Sequence, residues 1–285
     1  MCEGSENSYE RYQAGAVFGT CSLHDSIIHM NEIIDNQKIL PADIAMTVAD
    51  EDMNALLKSG AHIGHVSSKT HPKTAPFIYT VRSGIAIFDL FKTKEKLLAA
   101  EAFVRKIFAE NKTILFVGTK PAARSLIVAL EDAYGVPVVV DRWIGGTRTN
   151  FKVVSGRVQE LERLLKEKAE GGFKKYTKKE TAGKEDEIYH LQKSFGGLRK
   201  MKKLPDALFL SNIDTDILAV KEAIRMKIPV VAIVNSNSDM SLVLHAIPAN
   251  DNSIPAVTYL MERIRRSIEE GRKDAEARAA AASAE

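Results

Sequence analysis

The chain has 285 residues, 45% of them apolar, and its 40 Lys and Arg against 37 Asp and Glu leave a formal net charge of +3. That length holds one large domain or two small ones with a sizeable core. No stretch approaches the roughly 20 apolar residues of a membrane span, and the acidic, polar first residues lack both the basic and apolar regions of a secretory leader and the Arg-rich character of an organellar one.

Residues 1–50 carry 2 Lys/Arg and 8 Asp/Glu. They lack clean periodicity and are expected to form an acidic extension, disordered or weakly helical. The two cysteines, Cys2 and Cys21, both fall here. That placement argues against a disulfide framework or a structural zinc site, and a reducing cytoplasm is the simplest compartment. From residue 52 the pattern becomes organised. Residues 53–58 predict a short helix that ends at Gly60, and residues 61–84 a loop-rich stretch containing His62, His65 and His71. Residues 85–89 predict a strand and 93–109 a helix. Residues 113–118 (Thr-Ile-Leu-Phe-Val-Gly) form a short, continuously apolar strand, followed by a helix over 121–133 and a strand over 136–140. Apolar runs without alternation suit parallel strands covered on both faces.

Residues 152–203 break that rhythm. Val154, Val158, Leu161 and Leu165 recur at helical spacing, Gly171-Gly172 interrupts, and a second helical run covers about 178–193 before Gly196-Gly197. The pattern predicts an antiparallel helical hairpin inserted into the α/β domain. Its second helix is weakened by Thr181-Ala182-Gly183, since Gly costs about 1 kcal/mol relative to Ala in a helix. Strands over 205–210, 229–234 and 245–247, a helix over 217–226 and a last helix over 257–270 complete the series. The Ala-rich, charged tail 272–285 is expected to fray. Alternating strands and helices of these lengths argue for βαβ units and a parallel sheet.

Residues 142–203 carry 17 Lys/Arg against 8 Asp/Glu, a net +9 inside a near-neutral chain. A segment that basic points to a polyanionic partner, or to a solvated helical face. Residues 142–150 (Arg-Trp-Ile-Gly-Gly-Thr-Arg-Thr-Asn) join two arginines to the chain's single Trp. Glycines allow close backbone approach, Arg binds phosphate in bidentate fashion, and Trp either stacks on a base or plugs the hinge of the hairpin. The stretch reads as an RNA-contacting loop or as a structural turn. A second cluster, Arg199-Lys200-Met201-Lys202-Lys203, ends the hairpin, so both clusters are expected to meet at its base.

Gly118-Thr119-Lys120 follows a strand, as a phosphate loop would, but it lacks the glycine spacing that wraps backbone N–H groups around phosphates. It reads better as a strand-to-helix turn with an exposed lysine. No carboxylate or cysteine accompanies the three histidines, which suit loop packing better than catalysis.

Four ordered blocks carry a resemblance. They are Leu56-Leu57-Lys58-Ser59-Gly60-Ala61-His62-Ile63-Gly64-His65; Arg142-Trp143-Ile144-Gly145-Gly146-Thr147 with Thr149-Asn150-Phe151; Leu204-Pro205-Asp206-Ala207-Leu208-Phe209, continuing through Glu222-Ala223 to residues 228–234; and Ile247-Pro248-Ala249-Asn250-Asp251. From about residue 53 to 271 the chain resembles the bacterial small-subunit ribosomal protein S two family. It departs from that family in the loop after His65, at Thr181-Ala182-Gly183, and at Ala249 and Asn252.

The resemblance implies an α/β fold with a flavodoxin-like parallel sheet, helices on both faces and an inserted coiled-coil hairpin arm. Domains would be the 1–50 extension, an rRNA-binding domain over 51–271 with its arm at 152–203, and the 272–285 tail. It implies a non-enzymatic structural constituent of the cytoplasmic small ribosomal subunit. Partners would be small-subunit rRNA and neighbouring ribosomal proteins, including ribosomal protein S one, with no cofactor, small-molecule substrate or membrane. The candidate rRNA contacts are Lys73, Lys120, Arg142, Trp143, Arg148, Thr149, Asn150, Lys152, Arg157, Arg199, Lys200, Lys202 and Lys203. The competing readings are an α/β enzyme holding a nucleotide at the C-terminal strand ends and a free-standing adaptor that uses the hairpin.

Overall fold

The computed structural model describes residues 46–201 and 203–282. The expected extension falls almost wholly outside the described residues, as does Lys202. The chain divides after Asp50, and the compact unit is Glu51–Glu285.

Five parallel strands form the main sheet: β4 (Ile114–Val117), β5 (Val138–Val139), β6 (Ala207–Leu210), β7 (Val230–Val234) and β8 (His245–Pro248). Their spatial order is β5-β4-β6-β7-β8, with Phe116 opposite Phe209 and Leu210 opposite Ala232. In sequence order along the sheet this is 2-1-3-4-5, the flavodoxin-like winding that the family resemblance implies. Every residue of β4, β6 and β7 is buried, which is why these strands read as unbroken apolar runs.

Helices α2 (Leu90–Ala109), α3 (Pro121–Tyr134) and α7 (Ile254–Ala282) cover one face. Leu97, Val104, Ile127, Leu260 and Ile264 pack there on Phe116, Phe209 and Ile233, each residue contributing roughly 1.5–3 kcal/mol by leaving water. The opposite face takes α6 (Ile217–Arg225) and the root of a helix pair, α4 (Phe151–Ala169) and α5 (Lys178–Phe195). Val220, Trp143, Val154 and Leu198 meet Leu115, Leu208 and Leu210 on that side.

Helices α4 and α5 run antiparallel. Leu161, Leu164, Phe173 and Ile188 form a separate small core, flanked by the pairs Lys168–Glu185 at 2.8 Å and Lys184–Glu167 at 3.1 Å. Despite Thr181-Ala182-Gly183, α5 is continuous. It opens with a capping box in which Thr177 and Glu180 satisfy each other's backbone N–H groups.

Two expectations are corrected. Residues 61–84 are more than loop: β1 (Ile63–Val66) and β2 (Ile78–Arg82) pair antiparallel with β3 (Ile85–Phe88) in a second sheet. β1 and β2 were hidden because they are short and half-exposed, without clean alternation, whereas β3 lies where a strand was expected. Ser83 and Gly84, at φ 50° and 75°, make the two-residue left-handed turn that joins β2 to β3. The last helix does not stop at Gly271 but runs on to Ala282. A Cβ on Gly271 would lie 2.5 Å from Arg105 O, so the glycine permits close crossing of α2 and α7 rather than ending the helix. Arg105 then binds Asp274 at 2.7 Å, and Arg278 donates to Ala109 O at 3.4 Å, which holds the extended part in place. α1 (Met46–Lys58) precedes the sheets, and Asp52 binds Arg263 of α7 at 2.6 Å.

Candidate nucleic-acid interface

The loop from Asp141 to Asn150 leaves edge strand β5 and lies over α6 before α4 begins. It is organised by one carboxylate. Glu222 Oε1 accepts from Gly146 N–H at 2.7 Å and from the Trp143 indole N–H at 3.3 Å. Glu222 Oε2 accepts from Arg148 N–H at 3.0 Å and Thr149 N–H at 3.4 Å. Gly146 sits at φ 91°, which turns its N–H inward beside the others, a conformation that suits glycine. Gly146, Arg148 and Thr149, with the Trp143 indole, therefore build an anion cradle that the protein's own Glu222 fills.

Trp143 is 4% exposed, so its two open roles resolve to packing at the hinge. Arg148 is corrected more sharply. Its side chain is 1% exposed and donates from Nη2 to Pro205 O at 2.8 Å. Nε and Nη1 have no hydrogen-bond partner, and burial pulls its pKa down to about 10, against the pull of Glu222 and Asp206. It remains charged at neutral pH, but inside the protein. Its bond to Pro205 ties the loop to the segment leading into β6, so the two ends of the hairpin do meet.

Around that junction the other cations face solvent. Arg142, Lys152 and Arg157 are exposed, and their side chains make no ion pair or hydrogen bond among the described residues. Thr149 and Asn150 are exposed beside them. Arg199 lies 3.8 Å from Glu162, Lys203 lies 3.8 Å from Asp206, and Lys200 donates to Glu131 O at 3.0 Å. Such exposed pairs are worth little and are readily exchanged for phosphate.

Lys120 and Lys73 are placed elsewhere, at the C-terminal ends of the strands. Lys120 is not the exposed lysine expected: it binds Asp251 and Asn252, both at 2.8 Å, and its side chain is 19% exposed. Asp251 is wholly buried and also accepts from Asn235 at 2.6 Å and from Asn212. Thr119 donates to the buried Asp216 at 2.9 Å, whose pKa burial raises. Between β4 and β6, where open α/β sheets hold nucleotides, the protein's own side chains occupy the crevice. Lys73 is exposed but binds Asp239 at 2.8 Å and Ser241 at 2.6 Å. Of the histidines, His65 approaches Asn252 at 3.4 Å and His71 accepts from Lys73 N–H at 3.3 Å, both as loop fasteners.

Glu222 was visible in the sequence only as part of a family block. Its role arises because the loop crosses α6, and no local spacing encodes that.

The family model for ribosomal protein S2 matches residues 56–271, which include the cradle, the hairpin and the Asn250-Asp251 turn. The chain belongs to the ribosomal protein S2 family. It is 41% identical over 220 residues to small ribosomal subunit protein uS2 of Roseiflexus castenholzii (strain DSM 13941 / HLO8), covering 77% of this chain and 84% of that protein. It is 39% identical over 221 residues to small ribosomal subunit protein uS2 of Petrotoga mobilis (strain DSM 10674 / SJ95), covering 78% and 77%. The ribosomal protein S2 family is structural and non-enzymatic, in keeping with a strand-end crevice closed by its own side chains. Among the described residues no helix is long and apolar enough to cross a membrane.

Proposed function

We propose that the chain is a structural constituent of the small ribosomal subunit in the cytoplasm, supporting translation by binding small-subunit rRNA. The observation that carries the rRNA contact is the junction at the hairpin root. There Arg142, Lys152 and Arg157 stay exposed, without ion pairs among the described residues, while Arg148 and Trp143 are withdrawn to hold the loop rigid. Cations on a rigid scaffold position phosphates without a large ordering cost. Arg199, Lys200 and Lys203 extend the contact, with Thr149 and Asn150 as hydrogen-bonding partners and Lys202 as a further cation. Lys73 adds a peripheral contact on another part of the surface. Contact with neighbouring ribosomal proteins, including the docking of ribosomal protein S one, rests on the family resemblance.

Filter binding of the full chain to small-subunit rRNA across a salt series tests this reading. Replacing Arg142, Lys152 and Lys203 by Ala together is expected to weaken binding and lower the salt slope by roughly one unit per lost phosphate contact. An unchanged slope removes the junction from the interface.

A further inference from the structure

Two clefts open beside the hinge, along the flank of α5. One, of about 430 Å³, is lined by Arg142, Ile144, Lys193 and Leu218 among others. The next, of about 510 Å³, is lined by Arg124, Asp141, Tyr189, Gln192 and Lys193. Asp141 and Lys193 border both, so they form one groove.

Its chemistry is uneven in a useful way. Arg124 is neutralised by Asp141, within ion-pairing distance. Arg142 and Lys193 are exposed and make no ion pair among the described residues, which leaves the groove positive. Tyr189 is 61% exposed on α5, and its only ring neighbour among the described residues is His190, edge-on at 5.6 Å and 67°. A large aromatic surface is thus held in water at one end of the groove, with Lys193 beside it and Arg142 in the adjoining cleft. Gln192, exposed one turn along α5, adds both an amide donor and an acceptor.

We propose that this groove receives an unpaired nucleotide of the rRNA, resting on the ribosomal reading above. The base stacks on the Tyr189 ring, Gln192 hydrogen-bonds its edge, and Arg142 and Lys193 take the flanking phosphates. An exposed aromatic gains nothing from a paired stack, whose faces are already covered. It gains from a base splayed out of a loop or bulge, which is how proteins read RNA sequence beyond shape. The hairpin root is then more than a phosphate contact: it includes a stacking platform for a single-stranded element.

The test uses the full chain, a fluorescein-labelled 12-nucleotide oligouridylate and anisotropy at two salt concentrations. Tyr189→Ala should weaken binding about 5- to 150-fold with the salt slope unchanged, and Tyr189→Phe should restore it. Arg142→Ala with Lys193→Ala should instead flatten the salt dependence. Oligouridylate binding that Tyr189→Ala leaves intact, or a 12-base-pair RNA duplex bound as tightly as the single strand, overturns the proposal. Co-sedimentation of the unsubstituted chain with small subunits separates the two levels. If it co-sediments while Tyr189→Ala binds the oligonucleotide normally, only the stacking site falls. If it does not co-sediment, the reading beneath it falls as well.

Discussion

Glu222 and Trp143 lie on different elements, yet the Glu222 carboxylate accepts the Trp143 indole N–H at 3.3 Å while also holding backbone N–H groups of the same loop. This one side chain converts a glycine-rich loop into a fixed hinge.

Replacing Glu222 by Ala leaves those donors without their acceptor. The cost is expected to be about 2–4 kcal/mol, since loss of a shared charged acceptor exceeds the loss of an ordinary hydrogen bond. Glu222→Gln, which keeps an oxygen in place, should cost less. Trp143 is the only tryptophan of the chain, so its emission reports this site cleanly. Glu222→Ala should shift that emission to the red and lower the melting temperature together. A melting temperature equal to that of the unsubstituted protein contradicts the cradle.

Arg148 is charged, buried and only partly hydrogen-bonded. Arg148→Leu is therefore expected to be neutral or to stabilise the fold by about 1 kcal/mol, because a buried charge without full pairing is often outdone by an apolar side chain. The pH dependence has a definite sign. The folded-state pKa is lowered to about 10, below the ordinary arginine value, so above pH 10 the folded protein binds fewer protons than the unfolded chain. The burden of the buried charge is full below pH 10 and is relieved as pH rises above it. The advantage of Arg148→Leu should accordingly shrink between pH 9 and pH 11 in denaturant titrations.

His245 packs on Phe103 at 4.6 Å, and burial lowers its pKa below 6.5, helped by Lys96; burial also lowers that of His62. Both rings are favoured neutral in the fold, so their stabilising contribution is full above pH 6.5 and is lost as pH falls through their folded-state values. Unfolding free energy should decline from pH 7 to pH 5, and His245→Phe should make that decline shallower. An identical slope in both proteins counts against burial of a neutral imidazole at 245.

Gly271 lies where α7 crosses α2. Gly271→Ala would improve an isolated helix, yet here its Cβ meets Arg105 O at 2.5 Å and Phe108 Cβ at 2.8 Å. The expected outcome is a loss of about 1–3 kcal/mol, as for other overpacked contacts, measured by urea denaturation. A gain in stability would show that the two helices part easily.

The parallel sheet was legible because strands buried on both faces read as continuous apolar runs, as in residues 114–117 and 230–234. The hairpin was legible from its helical stripe and its double glycines. Strands β1 and β2 were not, because they are short and half-exposed; of their sheet only β3 was expected. At the hairpin root, the meeting of the two basic clusters followed from simple topology. The fates of Arg148 and Lys120 did not. A sequence shows that an arginine or lysine is present, but whether its charge faces water depends on Pro205 and Asp251, which lie 57 and 131 residues away. Tyr189 escaped notice for the opposite reason: one aromatic on a polar helix carries no pattern, and only the neighbouring clefts give it meaning.

The central claim is that this chain is a small-subunit protein that holds rRNA at its hairpin root. Sucrose-gradient sedimentation of the full chain, followed by immunodetection across the fractions, addresses it most directly. Co-migration with small subunits at moderate salt, reduced in the Arg142, Lys152 and Lys203 triple alanine variant, is the predicted result. Sedimentation of the unsubstituted chain at the top of the gradient, apart from the subunits, would contradict it.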